Sequence, residues 1–142
     1  MSDSKRHAAG VDSRNTRETT VIDAIAEEWG ETLTELNPTI ATWIGLPGAH
    51  SGYADYSPEG HARMVDATRD VLGSLEAATV VDDVDVVTKH EMVSTLRLDL
   101  ESDAAGLWMR DLNNVASPAQ DIRGVLDLMP TVSSDDWAMI TR

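Results

Sequence analysis

The chain has 142 residues, 42% of them apolar, and 11 Lys and Arg against 25 Asp and Glu give it a net charge of −14. The length fits one domain of ordinary size, and so strong a polyanion is a poor partner for nucleic acid or an anionic membrane surface, which need clustered cations. The absence of Cys removes disulfide frameworks, thiol catalysis and thiolate zinc sites, and no apolar run approaches the ~20 residues of a membrane span. The expectation is a soluble, cytoplasmic, acidic protein.

Residues 1–17 hold Lys5, Arg6, Arg14 and Arg17 against Asp3 and Asp12, a balance of +2, while the remainder carries −16. This stretch has almost no large apolar residue to offset its ordering entropy, and lacks the apolar core of a secretory signal. It is expected to be a disordered basic leader, with the folded part over 18–142.

From Glu18 the pattern is helical. Val21, Ile22, Ile25, Ala26, Trp29, Leu33 and Leu36 recur at steps of three and four, which places them on one face. Asn37-Pro38 ends that run and opens a short second helix with Ile40, Trp43 and Ile44. Residues 45–57 read as a long loop, a length uncommon unless functional. Ser57-Pro58-Glu59 reads as N-cap, first-turn Pro and first-turn acid of a helix that buries Met64, Val65, Thr68, Val71, Leu72 and Leu75.

Thr79-Val80-Val81 leaves a short strand open as an alternative. Asp82-Asp83 then start a long helix to about Ala105. In it Val86, Val93, Leu100 and Leu107 fall seven apart with Leu96, and Met92 and Leu98 lie elsewhere, so burial on more than one side is expected. Ser117-Pro118-Ala119-Gln120 reads as a capping box before a helix with Ile122, Val125, Leu126 and Met129, stopped by Pro130. A last helix with Trp137 and Ile140 is barely two turns old at Arg142, far short of the ~12–15 residues that are marginal alone. The fold class expected is all-α: an irregular multi-helix array, the N-terminal part of something longer, truncated at its end.

Candidate chemistry is sparse. His90-Glu91 invites comparison with a helical zinc motif, but the second His would fall at Ser94, so no such site is formed. Asp82, Asp83 and Asp85 resemble the start of a calcium loop, yet Thr88 and Ser94 stand where Gly and Glu are required. The acids are better read as a helix N-terminus. His50, His61, Tyr53 and Tyr56 lie in or beside the long loop, where they could line a cleft without any metal spacing. Arg110, Asp111, Asn113 and Asn114 form the densest polar cluster. Such groups bind a carboxylate or peptide carbonyl, or equally cap the preceding helix, and the structural role is favoured.

The order of the blocks carries a resemblance. Thr20-Val21-Ile22-Asp23 with Trp29, then NPTIATWIG, ADYSPEG, DDVD and finally RDLNNVASPAQDIRGVLDLMP resemble the N-terminal region of the bacterial domain-of-unknown-function family 885, over about Arg17 to Arg142. The resemblance implies a largely helical protein several times longer, similar in layout to helical carboxypeptidases and oligopeptidases. It implies a zinc-dependent peptidase, in which zinc-activated water attacks a peptide carbonyl. The family's metal motif, a His-Glu pair followed closely by Pro-Gly-His, lies in a later part of the chain. Pro47-Gly48-Ala49-His50 echoes only its second half.

The resemblance therefore implies no catalytic residue, no metal ligand and no cofactor in this chain, with zinc implied for the full-length family alone. It makes the chain an N-terminal helical segment forming one wall of a cleft. Arg110, Asn113 and Tyr56 are the candidates for contact with a peptide substrate. The partners expected are the remainder of the same polypeptide or a second copy, through exposed apolar helix faces. The alternative is a stand-alone acidic helical interaction or structural module.

Overall fold

A computed structural model describes residues 17–46, 52–110, 112–114 and 117–141. The leader up to residue 16, the Pro47–His50 echo and Asp111 lie outside the described residues. Among the described residues there are six α-helices, one 3-10 turn and no strand, so the all-α expectation holds. The helices are α1 (Val21–Leu36), α2 (Pro38–Trp43), α3 (Pro58–Ala77), α4 (Asp83–Ala104), α5 (Pro118–Leu128) and α6 (Ser134–Ile140). The 3-10 turn, Leu107–Arg110, follows α4. Thr79-Val80-Val81 is irregular rather than a strand. A lone extended run among helices has no neighbour to take its ladder hydrogen bonds.

Helix α1 starts at Val21, where the apolar stripe begins, because a capping box sets its first turn. The Thr20 hydroxyl accepts from the Asp23 N–H at 3.2 Å, and the Asp23 carboxylate accepts from the Thr20 N–H at 2.9 Å. Arg17, the last residue of the expected leader, is anchored to the folded part. It donates to Asp23, Asp82 and Asp85, the last at 2.6 Å. Asp85 is fully buried and also accepts from the Thr20 hydroxyl at 2.7 Å and the Val81 N–H at 2.9 Å. The starts of α1 and α4 are thereby tied together.

Below this knot Ile22, Leu75 and Leu96 form the core, with Ile25, Trp29, Val71, Leu72, Met92 and Val93 packed against it. The helical periodicity of α1 and α3 is realised in these contacts. The C-terminal carbonyls of α3 are met by a cation from α4, where Lys89 donates to Ala78 at 2.7 Å and Glu76 at 3.1 Å. Helix α4 departs from its expected burial. Leu96 is buried, but Val84, Val86, Val87 and Leu98 are exposed, because α1 and α3 cover only one side of it.

A second contact joins α2 and α5. There Gly124 faces Trp43 so closely that an added Cβ would lie 3.1 Å from the indole. The capping box expected at the start of α5 does not form. The Ser117 carbonyl already takes the Gln120 N–H at 2.9 Å, and the Ser117 hydroxyl turns to the Gln120 side chain instead. Helix α6 is fastened locally: the Ser133 hydroxyl accepts from the Asp136 N–H, and Asp136 accepts from the Ser133 and Val132 N–H groups.

Candidate functional site

The most chemically equipped surface is a cleft of about 230 Å³ between α1, α3, α4 and the 3-10 turn. Each wall follows from helical spacing. Trp29 and Leu33 come from α1, and His61, Met64, Val65 and Thr68 from α3. Asp99, Leu100, Ser102 and Asp103 come from α4. Residues three, four or seven apart share a helix face.

His61 is the centre of the site. Ser57 caps α3 by accepting the Gly60 N–H at 3.0 Å, which sets His61 in the first turn. There its Nε2 lies 2.6 Å from Asp103 Oδ1, across 42 residues of sequence. An ionised carboxylate only accepts, so Nε2 donates the shared hydrogen. The other wall is set by Gly106, whose φ of +67° ends α4 and swings the chain into the 3-10 turn. That reversal lays the Trp108 indole on the His61 ring, with centroids 4.1 Å apart and planes 22° from parallel.

An imidazole oriented by a carboxylate is suited to taking or giving a proton, or to fixing a polar ligand. Among the described residues no hydroxyl is bonded to His61. Nor do any three His, Asp or Glu of the described residues come together so as to hold a metal ion. The described residues thus bring together no ligand set that fits the zinc implied by the resemblance, and no step through it follows from them.

Of the residues singled out from the sequence, the substrate-contact candidates Tyr56, Arg110 and Asn113 fall outside this lining. Tyr56 is 47% exposed and lies within the electrostatic reach of Tyr53 and of Asp121 in the first turn of α5. Burial first, then Asp121 and Tyr53, hold its hydroxyl above the ordinary tyrosine range. Arg110 ends the 3-10 turn on the surface, and Asn113 is exposed beyond it. Neither lines the His61 cleft. His61 was legible as a possible cleft residue, whereas Asp99, Asp103, Trp29 and Trp108 were not. Only the four-residue step from Asp99 to Asp103 could have signalled a shared acidic face.

Asp55 sits just ahead of this helix and is pulled down to about 2 by hydrogen bonds from Ser57 and then by Arg63. Asp55 also packs so tightly that a Cβ on Gly60 would meet its carbonyl oxygen at 2.0 Å. The loop before α3 is thus held against the helix that carries His61.

No curated protein matches this sequence. The sequence model of the family described as "Bacterial protein of unknown function (DUF885)" matches residues 38–142, which takes in α2 through α6 and leaves the α1 block outside the match. With nearly three quarters of its length covered, the chain belongs to that bacterial family.

Proposed function

We propose that the chain is the helical N-terminal segment of a zinc-dependent peptidase or hydrolase, supplying wall and scaffold and no catalytic residue of its own. One observation supports the scaffold part: large apolar side chains face outward on several elements. Val84, Val87 and Leu98 on α4 are 52%, 62% and 62% exposed, and Leu112 and Val132 are 87% and 96% exposed. A helix that is apolar on more than its core face is suited to burial on further sides. The hydrolase part is supported by the likeness of residues 110–130 to the family's N-terminal region.

A stand-alone interaction module is the second reading, and the self-contained Ile22–Leu75–Leu96 core with its Arg17 knot favours it. Two measurements on the 142-residue chain separate the possibilities. The scaffold reading expects no peptide hydrolysis with or without added zinc, together with binding of a hydrophobic dye or self-association. A dye-silent monomer that unfolds sharply would transfer support to the stand-alone module. Turnover by this chain alone would overturn both.

A further inference from the structure

We propose that the cleft between Trp29 and Trp108 binds a cationic group, an alkylammonium or guanidinium borne by a short aliphatic chain. This inference is independent of the hydrolase reading. Three observations meet in one place.

The first is uncompensated charge. Asp99 and Asp103 lie one turn apart on α4 and both line the cleft. Asp103 is engaged by His61, but the Asp99 carboxylate has no ion-pair or hydrogen-bond partner among the described residues. None of the lysines or arginines of the described residues lines the cleft, so its two carboxylates are met there only by the His61 ring on Asp103. The second is aromatic surface: Trp29 and Trp108 both line the cleft, and indole, of which His61 covers one face at Trp108, is the best side chain for attracting a cation. The third is shape. Leu33, Met64 and Leu100 supply an apolar floor, and about 230 Å³ is below the ~300–1,000 Å³ of sites for drug-sized ligands. That combination suits one extended side chain with a charged head, the alkyl part on the floor and the head between carboxylate and indole.

The shared chemistry has two sources, a free small amine or a basic residue of a peptide, and the probes distinguish them. Butylamine and butylguanidine represent the first. Acetyl-Gly-Lys-Gly-amide and acetyl-Gly-Arg-Gly-amide represent the second, with acetyl-Gly-norleucine-Gly-amide as the uncharged control. Titrations at about 0.15 M salt suppress loose attraction to the polyanionic surface and are followed through the indole N–H resonances of the four tryptophans.

The expected result is saturable shifts of the Trp29 and Trp108 signals with at least one cationic probe, and none with norleucine. Trp43 and Trp137 should stay still. Asp99→Asn, at an exposed position that leaves the fold intact by circular dichroism, should weaken binding at least tenfold, while Asp66→Asn on the surface of α3 should not. Trp108→Leu should weaken it as well. The proposal is overturned if the norleucine peptide binds as well as the lysine peptide, if Asp99→Asn and Asp66→Asn behave alike, or if no cationic probe saturates at millimolar concentration.

Discussion

The Arg17 guanidinium, sixty-eight residues away in sequence, lies 2.6 Å from the carboxylate of Asp85, which no solvent reaches. A buried charge is tolerated only when its partners are complete. Asp85 meets that condition through Arg17, Thr20 and Val81. Asp85→Asn replaces one accepting oxygen with a donor facing donors and should cost about 3 kcal/mol, read as a lower urea midpoint. Arg17→Gln should destabilise in the same direction. Combining it with Asp85→Asn should cost less than the sum of the two, because both act on one pair. Additive losses would refute the pairing.

Glycines separate close packing from idle flexibility. Gly30 and Gly73 are helical with nothing within 4 Å of an added Cβ. Gly30→Ala and Gly73→Ala should each stabilise by about 0.5–1 kcal/mol in chemical denaturation. Gly60→Ala must displace the Asp55 backbone and should destabilise by about 2 kcal/mol. Equal effects at positions 60 and 73 would show that the loop ahead of α3 is not seated as described.

Gly106 is a test of how the cleft is built. Its left-handed backbone makes Gly106→Ala cost about 1–2 kcal/mol. Since that turn carries Trp108 onto His61, the same change should move the Trp108 indole resonance and the His61 ring signals while leaving Trp43 unchanged. An unchanged Trp108 environment would mean that α4 can end without this residue.

Acidity should act in two opposed ways. The net charge of −14 repels itself at neutral pH, and that repulsion falls as pH approaches the isoelectric point of 4.4. Against this, Asp55 is held at about 2, by Ser57 and then Arg63. Asp23, Asp82 and Asp136 are also held below the usual carboxylate range, the first and last chiefly by backbone N–H groups and Asp82 chiefly by Arg17. A carboxylate depressed on folding contributes stability that is whole above its unfolded value of ~3.9 and is lost as pH falls through the folded one. The melting temperature should therefore rise from pH 7 to about 5 and drop below about 4. Added salt should raise it at pH 7. A steady fall from neutrality would contradict this balance.

Local signals were legible where they involve neighbours in sequence. Ser57-Pro58 opens α3 and Asp82 caps α4 as their types require, since a cap needs only the next three residues. Even so, Ser117-Gln120 shows the limit of such signals: the cap pattern is present, yet the backbone carbonyl claimed the N–H first. The Thr20–Asp23 box is equally local, its Thr and Asp lying three residues apart around the first apolar residues of α1.

Composition and periodicity suffice for an acidic, all-helical chain, because a helix is made by residues within four positions of each other and charge is a simple count. Which helices touch is another matter. His61 meets Asp103, Trp108 covers His61, and Arg17 finds Asp85 only after α1, α3 and α4 have packed. Those meetings depend on crossing angles and on where each helix stops, and no short-range preference encodes them.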